Sequence, residues 1–206
     1  TGWLPEFEDP QLTTLVREAI AENHDLRAAA HRLKATRENN IRARAARLPQ
    51  VTTGTTANRR LNGSGSSGGS PASSYGMSFA ASWEIDVWGR LRDSEDAENA
   101  DYRAAIADYL GARLSLAVNT AKAWINLTEA QQQVDLAKQT LQDFKKSLSL
   151  ISRRHREALL RAVDVQFGRN NVASAERNLR SQVLRRDEAA RTLELLLGRY
   201  PAGELE

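Results

Sequence analysis

Glu84 and Asp86 are the side chains of this sequence best spaced to do chemistry: a strand would hold two carboxylates two positions apart on one face, about 7 Å from each other. That separation suits the acid and base of a hydrolase. It equally suits two ionised groups lining a watery passage, which they would bias toward cations, and this second reading is preferred. His24, His31 and His155 are the only imidazoles; His24 and His31 stand seven apart with no third ligand nearby in sequence, and all three are read as surface histidines. Arg153, Arg154, Arg156 and Arg161 cluster around one turn. They suit contact with phosphate or an acidic partner, or a solvated helix end whose dipole favours cations, and the sequence leaves both open. Asp164 falls in the first turn of the helix that follows, where a carboxylate acts as a cap. No Gly-rich phosphate loop, nucleophile triad or metal signature is present, so no catalytic, cofactor or metal site is expected and the chain is not read as an enzyme.

The two carboxylates must be placed by the segment that contains them. From Tyr75 to Val87 every odd position is apolar (Tyr75, Met77, Phe79, Ala81, Trp83, Ile85, Val87) and every even one small or polar. Successive strand side chains point to opposite faces, so this is a strand with one greasy face. Its length and the aromatic residues near both ends favour a tilted membrane strand over a soluble half-buried one. Val51 to Arg60 is threonine-rich with a weak alternation, and Asn62 to Ser74 is almost all Gly and Ser, which reads as the long loop of a hairpin. Antiparallel pairing of Tyr75–Val87 with Val51–Arg60 is expected. Tyr75, Met77, Phe79, Trp83 and Ile85 would then face lipid, with Glu84 and Asp86 toward the lumen.

The rest of the chain reads as helix. Asp9-Pro10 is a helix start, with Leu12, Leu15, Val16, Ala19 and Ile20 as the apolar stripe and a stop near Asn23. A second helix runs from His24 to about Arg47 and ends before Pro49. From Ser94 to about Glu157 a long helix carries two seams, Leu110-Leu114-Ala117-Ala121-Trp124-Thr128 and Val134-Ala137-Leu141-Phe144-Leu148-Ile151, which implies more than one helical neighbour. A turn at Ala158–Ala162 leads to a last helix, Val163–Leu197, terminated by Gly198 and Pro201. The long helix would measure roughly 95 Å, the last about 50 Å and the second about 35 Å, so the two shorter ones stacked end to end would nearly match it.

Composition sets the limits. At 206 residues, with only 6% aromatic residues and much of the apolar content alanine, the chain suits closely approaching long helices better than a globular core. Its 29 basic and 26 acidic residues leave a formal charge of +3, weak support for nucleic acid as a partner. Without cysteine there is no disulfide, thiol or lipidated cysteine within the chain. No run of about 18 apolar residues exists to form a membrane helix, and the start at Thr1-Gly2-Trp3 has no signal-peptide pattern, so any export signal is expected to lie upstream or to have been removed.

Five strings, in order, then carry a family resemblance: Asp25-Leu26-Arg27-Ala28-Ala29-Ala30, Leu48-Pro49-Gln50-Val51, Ser82-Trp83-Glu84-Ile85-Asp86-Val87-Trp88-Gly89-Arg90-Leu91-Arg92, Val163-Asp164-Val165 and Leu195-Leu196-Leu197-Gly198-Arg199-Tyr200-Pro201. The chain resembles the first structural repeat of a TolC-like outer-membrane factor of the OprM/NodT type, the outer membrane efflux proteins. The resemblance implies a homotrimer with four strands per protomer in a twelve-stranded barrel, above a helical tunnel reaching through the periplasm. It implies a passive conduit for drugs or other small solutes, working with a periplasmic adaptor and an inner-membrane pump in the bacterial outer membrane. The tip Ala158, Leu159, Leu160 and Arg161 would dock the adaptor. Asp164, one per subunit around a threefold axis, would form a selective or gating ring, with simple capping as the rival role. Relatives commonly have glycine where Ala158 stands and a small polar residue at Arg161. A second repeat is expected after Glu206.

The expected fold is therefore mainly α: a long antiparallel helical hairpin or coiled-coil layer with one β-hairpin of a transmembrane barrel. Its divisions are a short N-terminal helix (1–23), a periplasmic helical part (24–48 and 93–198), the barrel hairpin (49–92) and the start of a linker (199–206). The main rival is a soluble coiled-coil scaffold or adaptor without transport function, and a more distant one is a basic helical nucleic-acid binder. The period-two strands and the Gly/Ser hairpin loop speak against both.

Overall fold

The computed structural model describes residues 3–60 and 72–205. Among these residues the chain is mainly helical: α1 (Pro10–Glu22), α2 (His24–Ala45), α3 (Arg90–Arg156) and α4 (Ala162–Leu196), with strands β1 (Gln50–Arg60) and β2 (Ala72–Ser82) between α2 and α3. It divides into two compact units, one made of Thr1–Ala30 and Tyr109–Glu206, the other of His31–Asp108.

In the first unit α1 begins as its sequence requires. Pro10 occupies the first helical position, and the Asp9 carboxylate accepts from the backbone N–H groups of Gln11 (2.8 Å) and Leu12 (3.0 Å). The second Asp9 oxygen accepts from the Trp124 indole at 2.8 Å, which ties the start of α1 to α3. The Leu12 N–H bond leads in holding the Asp9 carboxyl below the ordinary carboxylate range; burial opposes it, and Trp124 and Gln11 assist.

Leu4, Leu12 and Val16 bury against Ala117 and Ala121 of α3, where alanine lets the helices come close. A second cluster joins Ala19, Leu26, Leu116, Ala123 and Leu127 to Ala190, Leu193 and Leu197. The part of α3 after Tyr109 runs antiparallel to α4. Lys145 pairs with Glu176 at 3.3 Å, and a Cβ on Gly168 would lie 3.0 Å from Leu148 Cδ1. The expected seams hold in part: Ala117, Ala121, Val134 and Ala137 are buried, but Leu110 and Leu114 are exposed. With only 13 residues, α1 is about 20 Å long and can cover only part of the 67-residue α3.

The end of α4 is built as carefully as the start of α1. Gly198 takes φ +75°, its N–H bonds to Leu195 O (3.1 Å), and Arg199 N–H bonds to Glu194 O (2.9 Å). This is a Schellman closure, which uses up carbonyls that have no partner within the helix. A Cβ on Gly198 would stand 2.7 Å from Glu22 O, so two independent constraints demand glycine. Glu194, only 3% exposed, turns its carboxylate onto the following segment and accepts from the N–H groups of Gly203 (2.7 Å), Glu204 (2.8 Å) and Leu205 (3.3 Å). Burial by itself pushes this carboxyl up; the backbone donors outweigh it and hold the group below the ordinary range.

In the second unit β1 and β2 pair antiparallel from Gln50↔Ser82 through Thr53↔Phe79 and Ala57↔Tyr75 to Arg60↔Ala72. The expected pairing is present with three differences of extent. β2 already includes Ala72–Ser74, which the sequence assigned to the loop, because Asn58–Arg60 supply partners for them. The remaining loop residues, 62–71, lie outside the described residues. At the other end β2 stops at Ser82 rather than Val87, since the next partner position is Pro49, which has no N–H to donate. Beyond it the Trp83 indole donates to Arg47 O (3.0 Å). Lastly, α3 starts at Arg90, four residues before the expected Ser94, because Asp86 reaches forward to accept from Arg92 N–H (2.9 Å) and caps the first turn. Arg47 pairs with Glu95 at 2.6 Å across the same junction.

Two outcomes test these arrangements in the purified chain, followed by urea unfolding of the helical circular-dichroism signal. Gly198→Ala meets both the left-handed backbone and the Glu22 carbonyl, and should cost about 2–4 kcal/mol. Glu194 has a lowered folded pKa, so its contribution is present above the unfolded carboxyl value and is lost as pH falls through the folded one. Stability should therefore drop between about pH 5 and pH 3, and Glu194→Gln should be less stable at pH 7 with a shallower decline. An equal slope in wild type and variant would remove Glu194 as the source.

Candidate functional site

The turn between α3 and α4 gathers all five tip residues that the sequence singled out. α3 ends on the same Schellman closure as α4: Ala158 N–H bonds to His155 O and Leu159 N–H to Arg154 O, each at 2.9 Å. The residue that must turn left-handed is Ala158, at φ +57°, where Gly198 stands in the other copy of the motif. An L side chain there costs about 1–2 kcal/mol relative to the right-handed region, so this turn is held by its surroundings rather than by its own preference. His155 supplies part of that hold, since its Nδ1–H donates to Leu160 O at 2.8 Å and spans the loop.

Past the turn, Arg161 is the N-cap of α4 but offers no capping acceptor from its side chain. Asp164 compensates by accepting from the Arg161 backbone N–H at 3.0 Å, with the guanidinium Nε 3.8 Å away. The capping role weighed for Asp164 is thus realised, in the reversed sense of a third-position carboxylate reaching back. This leaves Leu159 at the head of the turn, 69% exposed, with Val163 and Phe167 exposed one turn apart on the same face of α4. Arg153, Arg154, Arg156 and Arg161 are exposed as well.

The hairpin residues divide. Tyr75, Met77 and Phe79 lie in β2 on one face, level with Ala57, Thr55 and Thr53, and are exposed at 83%, 68% and 69%. The opposite face is lined by Thr52, Gly54, Thr56, Gly76, Ser78 and Ala80. A Cβ at Gly54 would lie 2.9 Å from Ser78 Oγ, and one at Gly76 2.8 Å from Thr56 Oγ1, so this face is filled by hydroxyls opposite glycines. Trp83, Ile85, Glu84 and Asp86 fall outside the strand, so strand alternation sets neither their directions nor the spacing of the two carboxylates. Glu84 pairs with Arg90 at 2.7 Å and Asp86 caps α3. Sequence reasoning missed this capping and the His155 bridge. The first was signalled by an aspartate shortly before a glycine and a helical run; the second had no signal, because it depends on the turn geometry.

Comparison with known proteins agrees with this architecture. The chain is 32% identical over 204 residues to the toluene efflux pump outer membrane protein TtgF of Pseudomonas putida, covering 96% of this chain and 42% of that protein. It is 27% identical over 207 residues to the cation efflux system protein CusC of Escherichia coli K12, covering 97% and 43%. The solved structure of the outer-membrane channel OprN superimposes with a TM-score of 0.83 at 27% identity, over 98% of this chain and 46% of that one. The chain therefore spans less than half the length of these relatives. The sequence profile of outer membrane efflux proteins matches residues 15–199, and the chain belongs to that family.

Proposed function

We propose that this chain is the N-terminal half of a subunit of a trimeric outer-membrane channel that exports drugs or other small solutes, docking a periplasmic adaptor at the turn between α3 and α4. The observation that carries the docking assignment is Leu159, 69% exposed at the head of that turn beside Leu160 and Arg161. A two-stranded sheet with one exposed apolar face is not stable alone in water, and lipid is the surrounding that its Tyr75–Met77–Phe79 face suits. The exposed Leu110, Leu114, Ile125 and Leu136 of α3 suit cover by neighbouring helices of an assembled tunnel. The chain does no chemistry on the solute; it is a conduit, in the outer membrane with a periplasmic extension. Asp164, brought to one level around a threefold axis, would supply a ring of carboxylates that favours cations and helps hold the tunnel closed.

The substitutions Leu159→Asp and Asp164→Asn, made in the complete protein, separate docking from gating. Leu159→Asp should leave the assembled trimer intact and lower adaptor crosslinking and efflux by at least about tenfold, because a charge then replaces the exposed apolar anchor. Asp164→Asn should keep docking while reducing cation preference in single-channel recordings. Unchanged efflux in the first variant removes the docking assignment; unchanged selectivity in the second leaves Asp164 as a helix cap alone.

A further inference from the structure

The arginines of the tip exceed what helix capping requires. Arg153 to Arg161 holds four arginines against the single Glu157, so these nine residues contain an excess equal to the whole chain's formal +3, and the remainder is balanced. Arg153, Arg154 and Arg156 stand in the last turn of α3, where the helix dipole favours cations, but Arg161 is the N-cap of α4, where it does not. The dipole therefore accounts for three of the four. Of these four arginines only Arg161 has a carboxylate within ion-pair distance among the described residues, Asp164 at 3.8 Å, and that carboxylate is already engaged by the Arg161 backbone. The same turn and the start of α4 also carry exposed apolar side chains, Leu159, Val163 and Phe167. Bare phosphate would need no such apolar centre, whereas a protein partner gains from an apolar core within a charged rim.

We infer that this tip selects an acidic partner: a helical hairpin of the adaptor whose turn presents an apolar pocket for Leu159, flanked by carboxylates that face Arg156 and Arg161. This rests on the docking assignment above and adds the charge that discriminates one adaptor from another. Rim charges set encounter rate and exclude wrong partners, since like charges brought together repel. Association should therefore weaken with salt, as the screening length shrinks to about 3 Å at 1 M.

The test measures retention of the adaptor that supports efflux by the unmodified complete protein, using detergent-purified channel. The double variant R156E/R161E should still assemble and should retain the adaptor at least about tenfold less well, while R156K/R161K should stay close to wild type because charge is kept. Lysines in place of the acidic residues at the adaptor's hairpin turn should restore binding to R156E/R161E and weaken binding to wild type. Unchanged retention by R156E/R161E, or an adaptor turn without carboxylates, overturns the inference. So does arginine-dependent binding of a 20-nucleotide single strand with adaptor retention unaffected, which would make the tip a general anion surface. Loss of efflux in Leu159→Asp beside an unaffected R156E/R161E leaves docking standing and removes only the charge selection; unchanged efflux in both removes both.

Discussion

One buried residue closes three helix ends in the first compact unit. Asn23 donates its backbone N–H to Ala19 O at the end of α1, accepts on Oδ1 from Leu26 N–H at the start of α2, and donates Nδ2 to Leu196 O at the end of α4. Every helix terminus leaves backbone groups without an internal partner, and when such termini are buried together those groups must satisfy one another or incur a desolvation cost. A small amide with both donor and acceptor suits this position, because a carboxylate could not donate to Leu196 and an apolar side chain could do neither. The arrangement also explains Gly198, whose missing Cβ lets the end of α4 approach Glu22 O. The apolar cluster of Ala19, Leu26, Leu193 and Leu197 is then positioned by the polar junction beside it.

The hairpin unit depends on the opposite economy, with little packed and much left uncovered. Its two strands satisfy one another's backbone along a single edge, and each keeps an outer edge that only further strands can pair. Exposure of the Tyr75, Met77 and Phe79 side chains at the level of Thr53–Ala57 follows from an isolated ladder with no second layer. The junction to α3 is more firmly specified. Trp83, Arg47, Glu95, Glu84, Arg90 and Asp86 are joined there by hydrogen bonds and ion pairs that start the helix as soon as the strand partner runs out.

Both long helices end on the same backbone motif with different residues at the critical position. Gly198 adopts the left-handed conformation without strain, whereas Ala158 adopts it at a cost and is held by the Leu159 and His155 bonds. Strain of this kind persists only where the surrounding structure holds it, and here it sits at an exposed turn beside the uncovered Leu159.

The fold class was legible in the sequence. Period-two alternation named the hairpin, Asp9-Pro10 and Gly198 marked helix boundaries, and the Val163-Asp164-Val165 and Trp83–Arg92 strings pointed to the family, because local periodicity and backbone preference act within a few residues. The tip was legible as a cluster for the same reason: its members are near neighbours in the chain. What only the tertiary structure decided were the points where distant segments compete for one group. Alternation alone carried β2 on to Val87, yet the strand ends at Ser82, because its partner position is Pro49 and because Asp86 is taken by the N–H of Arg92. Heptad spacing put Leu110, Leu114, Ala117 and Ala121 on one seam, yet of these four only the alanines are covered, because it is they that pack with Leu4, Leu12 and Val16. The roles of Asn23, Trp124 and Glu194 depend on partners on other elements or across a chain reversal, and sequence spacing records nothing of such distances.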